Sequence, residues 1–199
     1  VSLEGGELEI SADATITNAI ASTNDSSSID TGTNTVTVSG TVSGSNAITK
    51  KGSGTLEITG TNNLSGTAKV EAGTLKVASS DKLGSGSVSL EGGELEISAD
   101  ATITNAIAST DDTSAIDTGT NTVTVSGVLS GSNKINKTGT GTLTLTGTNT
   151  NTTGVEIDQG TLVANGAGSM PVIVNSGTLQ GSGTVGNLTS SSTVEPGNS

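Results

Sequence analysis

The chain has no Phe, Tyr, Trp, Cys, His or Arg, two Pro and a single Met, Met170. Each absence removes a class of function. Without aromatics there is nothing to stack on a base, and seven Lys against nineteen acids cannot neutralise a phosphate backbone, so nucleic-acid binding is excluded. Without His there is no nucleophile–His pair. No apolar run exceeds three or four residues, as in Val172-Ile173-Val174, so nothing spans a bilayer as a helix. No basic segment precedes an apolar one at Val1, and the chain opens in mid-pattern, which reads as a piece of something longer. The lack of Cys suits a long exported chain that would otherwise risk wrong disulfides.

What is present is repetition. VSLEGGELEISADATITNAIAST occupies residues 1–23 and returns unchanged at 88–110, and residues 24–63 match 111–150 at the same offset. The organisation is therefore a repeat, 1–87 and 88–174, followed by a distinct segment 175–199. Low hydrophobicity with a net charge of −12 would otherwise suggest disorder. A disordered chain, however, need not place apolar residues in register. Here an alternating strand pattern recurs with its first apolar residue at Leu8, Val36, Leu56, Leu75, Leu95, Val123, Leu143, Leu162 and Leu179. Seven of the eight steps between these positions fall into a repeated order, one long and then three shorter and nearly equal. Alternation marks strands with one buried face, and the Gly, Asn and Ser clusters between them are turn chemistry. No helical stripe is present.

A period of about 20 residues built of short strands predicts an all-β parallel β-solenoid of about nine coils, a rod core of roughly 40 Å. A β-sandwich would not need such constant steps. Leu3, Leu8, Ile10 and Ile16 are expected inward, Glu7 and Glu9 outward, with Gly5-Gly6 at a corner. In register, the outward column runs Glu7/Glu9, Thr35/Thr37, Thr55/Glu57, Thr74/Lys76, Glu94/Glu96, Thr122/Thr124, Thr142/Thr144, Thr161/Val163, Thr178/Gln180. That column predicts a surface ladder Glu57–Lys76–Glu96. It also argues against an ice-binding Thr face, because charges interrupt it at four of nine coils.

The stretches GSGTLEITGTNNLSGTAKVEAGTLKV (52–77) and GTGTLTLTGTNTNTTGVEIDQGTLVA (139–164) resemble the passenger-associated transport repeat of bacterial autotransporters. Residues 176–199 are similar to the segment that ends such passengers. The Tyr frequent in the family after the Asn is replaced by Leu64 in one copy and Asn151 in the other. The resemblance implies a right-handed β-helix exported by the type V route and displayed on a Gram-negative cell surface. It implies adhesion or self-association as the role, with the outer membrane reached only through a barrel outside this chain. A host or neighbouring-cell surface protein or glycan is the expected partner, or a second copy of the chain.

Catalysis is not expected. The acid pairs Glu7/Glu9 and Glu94/Glu96 point outward from a flat face, and Asp111/Asp112 sits in a loop, with no His or Arg beside them. The alternative is a polysaccharide-acting β-helix whose active site lies outside this stretch. No cofactor is implied. The calcium nonapeptide of other solenoids is absent, and Asp25 and Asp30, or Asp111, Asp112 and Asp117, read as solvated loop acids rather than metal ligands. The favoured contact residues lie in the two long steps, within ASTNDSSS (21–28) and ASTDDTSA (108–115). Each is read as an insertion of about eight residues, both projecting from the same side about 19 Å apart. Their exposed tips are Asn24, Asp25 and Ser26, and Asp111, Asp112 and Thr113.

Overall fold

The computed structural model describes residues 1–197, so the last two residues of the 175–199 segment lie outside the described residues. The chain winds as a parallel β-solenoid with three faces, visited in strict rotation. The first face carries Ser2–Leu3, Ile20–Ser22, Val42–Gly44 and Asn62–Leu64. The 3-10 turn Ser80–Lys82 takes the next place on it. It continues with Ala101–Ile103, Thr122–Val125, Thr142–Leu145, Thr161–Ala164, Thr178–Gly181 and Thr193–Pro196. The second face carries Glu7–Glu9, Ser28–Asp30, Ile48–Lys51, Ala68–Val70, Val88–Leu90, Ile107–Ser109 and Leu129–Gly131. The third carries ten strands: Ala14–Ile16, Thr35–Val38, Thr55–Ile58, Thr74–Val77, Glu94–Ile97, Ala115–Asp117, Ile135–Thr138, Val155–Ile157, Val172–Val174 and Leu188–Ser190. Ten strands make nine coil steps, a rise of about 43 Å at the usual strand spacing.

The strands are short because three of them and their corners must fit one coil. Alternation then fills the interior. On the third face Val36, Leu56, Leu75, Leu95 and Ile116 stack as direct partners, all nearly or fully buried. The backbone ladders satisfy the peptide groups between coils, which is how a chain with 30% apolar residues and no aromatics sustains a continuous core. Coils tighten near the C-terminal end, where Val172 pairs with Leu188, a shorter step along the chain than that from Thr55 to its partner Thr74.

Two expectations need correction. The long steps contain no insertion. Leu8 lies opposite Ile29, not Val36, and Leu95 lies opposite Ile116, not Val123. Each long step is one full coil plus one further face, so the outward column read from sequence crosses from one face to the next at both places. Glu94 and Glu96 pair with Ala115 and Asp117, while Thr122 and Thr124 stand over Thr142 and Thr144 on the first face. Within the run of shorter steps the expected register holds. Lys76 lies opposite Glu57 and Glu96 and forms an ion pair with Glu96 at 3.1 Å.

The repeat therefore spans thirteen strand places, four and one-third coils rather than four. Identical sequence consequently lands on different faces. Ile20–Ser22 is on the first face and its copy Ile107–Ser109 on the second; Glu7–Glu9 is on the second and its copy Glu94–Ile97 on the third. Leu8, Ile10 and Ile16 are only partly buried in the first coil, whereas their copies Leu95, Ile97 and Ile103 are 0% exposed in mid-rod. Gly5 turns its corner at φ +88°, as Gly92 does at +112°.

Candidate functional site

Asn24, Asp25 and Ser26 are exposed on a tight corner between a first-face and a second-face strand, and Asp111, Asp112 and Thr113 on the corresponding corner between the second and third faces. Neither segment protrudes. The flanking residues Ser22, Ser27 and Ser28, like Ser109 and Ser114, are buried at 2% exposure or less. Ser22 Oγ donates to Ala47 O at 2.7 Å, and Ser27 Oγ to Leu3 O at 2.7 Å, tying the corner to the coils on either side. The two corners are turned one-third of a revolution apart, with an axial separation of about 21 Å. The same-side arrangement expected from the sequence fails for the reason that misplaced the column.

The exposed acids of these corners already have backbone partners. Asp25 Oδ1 accepts from Ala47 N of the next coil at 2.7 Å, and Asp112 Oδ1 from Lys134 N at 2.9 Å. Asn24 Oδ1 accepts from Ser26 N at 2.9 Å. Asp111 Oδ1 accepts from Thr113 N at 2.8 Å and from its hydroxyl, which holds the Asp111 carboxyl below its ordinary pKa. Asp13 and Asp100 cap Thr35 N and Thr122 N in the same manner. Asn24 and Asp111 close their corners as Asx turns, whereas Asp25, Asp112, Asp13 and Asp100 tie one coil to the next. A shallow polar groove of about 330 Å³ beside the first corner is lined by Asp25, Ser45, Ala47, Gly66, Thr67 and Lys69.

The remaining acids are spread along the rod. Glu7 pairs with Lys51 at 2.9 Å, and that pairing, with a hydrogen bond from Ser28, lowers its pKa. Glu156 pairs with Lys134 and accepts from Asn175, which lowers it likewise. Glu94 behaves oppositely. Half-buried beside Asp117 and Glu96, it is raised mainly by desolvation and further by those charges, against hydrogen bonds from Thr74 (3.1 Å) and Thr138 (3.4 Å). Glu94 lies on an open sheet with no cationic partner of its own. Among the described residues no group of three or more acids is placed to hold a metal ion.

Charge is distributed unevenly. Between Ala101 and Gly181 the first-face strands carry no charged residue. Thr122, Thr142, Thr161 and Thr178 run there as direct neighbours, with Thr102, Thr124 and Thr144 in the adjacent column. The copied sequence would have put Glu and Lys on this face. Thr144 stands where Glu57 does in the first unit, and Val163 where Lys76 does.

Two residues that the sequence pattern did not single out are Lys50 and Lys137, equivalent positions of the two units, 2% and 0% exposed on the inward stripe. Lys50 stacks between Ile29 and Val70, and Lys137 between Ile116 and Ile157. Burial pushes each ammonium down to about 8, outweighing the pull of Asp30 or Asp117. The available signal was a Lys at an inward position in both copies, each followed two places later by Gly. The place of the missing Tyr is also resolved. Leu64 is fully buried there, and Asn151, 2% exposed, donates to Ser130 O at 3.2 Å and Asn133 O at 2.8 Å.

Comparison with known families matches the passenger-associated-transport-repeat twice, over residues 48–77 and 135–164. No curated protein and no solved structure gives a match. The chain thus carries two transport repeats of the autotransporter passenger kind, each opening with the strand that bears a buried lysine. Two such repeats on an uninterrupted parallel β-solenoid fit a passenger stalk, and repeats of this kind imply export to the cell surface.

Proposed function

We propose that this chain is a length of rigid stalk in a surface-displayed passenger, and that neighbouring copies associate side by side through its first face. The observation that carries this reading is the charge-free sheet from Ala101 to Gly181 on a chain of net charge −12. Two such rods repel wherever their acids meet, and the threonine face is where they approach without juxtaposing like charges. Five coils of a narrow face bury a few hundred Å² per partner, below the roughly 800 Å² of a stable complex. The contact is therefore weak in one pair and cumulative among many copies on a surface. The corners at Asn24–Ser26 and Asp111–Thr113, facing different directions, would meet separate partner molecules, such as a neighbouring-cell protein or glycan.

The test replaces Thr122 by Lys, Thr142 by Glu and Thr161 by Lys, an alternating ladder that preserves cross-strand attraction while charging the face. Cells displaying the wild-type chain are expected to settle together, more strongly as salt screens the acids, and the triple variant to stay dispersed. Settling unchanged by the three substitutions would remove the first face as the contact.

A further inference from the structure

Lys50 Nζ donates to three backbone carbonyls: Lys51 O at 2.8 Å, Gly52 O at 2.7 Å and Ala72 O at 3.0 Å. Lys137 Nζ repeats the arrangement with Thr138 O (2.6 Å), Gly139 O (2.8 Å) and Gln159 O (3.3 Å). Three acceptors meet the three N–H donors of an ammonium. Two belong to the lysine's own corner, and the third comes from the next coil. The corner itself is pinned from the other side. Gly52 and Gly139 sit at φ +77° and +74°, where a Cβ would collide with Asp30 and Gly32, or with Asp117 and Gly119, of the preceding coil. Each lysine thus ties its own coil to the next, from a corner whose glycine packs against the preceding one.

Such a tie answers a problem that the hydrophobic ladder leaves open. A one-residue slip between coils turns every inward side chain outward and is forbidden by the pattern itself. A two-residue slip is not, since Leu75 would then face Ile58 instead of Leu56, apolar against apolar. The slip displaces the third carbonyl by about 7 Å along the strand and leaves a buried N–H of a cation unmet. We propose that Lys50 and Lys137 are register pins, which let the coil of each transport repeat stack on the next in one register only. The pin sacrifices stability for specificity, as buried polar groups that fix register do in other folds.

The charged groups facing Lys50 are Asp30 on the preceding coil, the Lys51–Glu7 ion pair beside its corner and Glu71 on the next coil. Facing Lys137 are Asp117, Glu94 through Thr138, and Asp158 on the next coil. The folded-state pKa of each lysine lies below the value for the open chain. Protonation is therefore a cost to the closed corner at neutral pH. That cost fades as pH rises from about 8 toward the open-chain value, and the discrimination fades with it.

Because the chain has no cysteine, introduced pairs report register without background. Thr142→Cys with Thr161→Cys joins direct partners in the native register, and Thr144→Cys with Thr161→Cys joins the same strands after the two-residue slip that sets Leu162 against Leu145. After refolding at pH 7, Lys137→Met is expected to raise the ratio of slipped to native cross-link about tenfold, the effect of one unmet buried donor. Lys50→Met should leave this pair of strands unchanged. In the chain with native lysines the same ratio should rise between pH 7 and 10, and in Lys137→Met it should be flat. Ratios equal at pH 7 for the native lysine and Lys137→Met overturn the proposal. Should Lys137→Met fail to form the native cross-link at all, the pH series with the native lysine decides alone, and a flat series overturns it. The assay uses the isolated chain, so its failure leaves the contact between rods standing, and the reverse holds too.

Discussion

Leu8 and Leu95 lie in identical sequence, and alanine at each separates local sequence from stacking. Leu95 is 0% exposed, with Leu75 on one side and Ile116 on the other. Among the described residues Leu8 has one strand partner, Ile29, and it remains partly exposed. A fully buried Leu→Ala change costs about 2–5 kcal/mol, combining lost transfer energy and a cavity that the coil cannot collapse. Leu95→Ala should sit near the middle of that range, about 3 kcal/mol, because ladder hydrogen bonds hold both neighbouring coils at strand spacing. Leu8→Ala loses about half the contacts and should cost about 1–2 kcal/mol. With a urea slope of about 2–3 kcal/mol per molar for a chain of this size, the midpoint should fall by about 1 M for Leu95→Ala and about half that for Leu8→Ala. Far-UV circular dichroism follows the global transition, and amide exchange shows whether the Leu8 loss stays confined to the end coil. Equal shifts for the two variants would refute the argument that stacking, rather than the local segment, sets their stability.

The third face and the corners give two more tests. Glu94→Gln removes a carboxylate whose folded pKa is raised by burial and by Asp117 and Glu96. Its ionised form costs stability once pH exceeds the open-chain value, so the variant should melt higher than wild type at pH 7 and equally at pH 3; a lower melting point at pH 7 contradicts the assignment. Asp25→Ala deletes the acceptor for Ala47 N across two coils and should cost about 1 kcal/mol in urea unfolding. The isosteric Asp25→Asn should recover most of it, so a binding defect in Asp25→Ala that Asp25→Asn does not share is structural.

Alternation made the strands, the inward ladder and the coil length legible from the sequence, because it records burial position by position. It does not record which face a strand lies on. Val36 and Val123 carry the same TVTV pattern, yet one is on the third face and the other on the first. Where successive steps were short and nearly equal the register was readable, and Lys76 does lie between Glu57 and Glu96. Where a step was long, an insertion and a change of face predict the same spacing. Only the pairing of Ser28 with Glu7 and of Ala115 with Glu94 distinguishes them. Lys50 and Lys137 escaped notice because a lysine is ordinarily a surface residue, and nothing in the ITKK or INKT strings marks three carbonyls converging on one amine. The corner acids were legible as exposed but not as engaged, since the acceptor role of Asp25 depends on Ala47 of the next coil.

The one-third rotation has a consequence for how such a rod is lengthened. A unit of thirteen strand places cannot return its copy to the same face; three units and thirteen coils, about 62 Å, are needed to do so. Duplication alone would therefore distribute every surface feature evenly around the axis, and a face kept chemically uniform must be maintained by divergence between copies. That is the pattern seen at Thr144 and Val163, which stand on the first face where strict copying would have placed Glu and Lys. The interior is under the opposite constraint. Ile20 on the first face, Ile29 on the second and Val36 on the third are as fully buried as their copies Ile107, Ile116 and Val123 on the second, third and first, all at 1% exposure or less, so the three inner walls are interchangeable. A core that accepts the same sequence on any face leaves the outward positions free to diverge between copies, as they have at Thr144 and Val163.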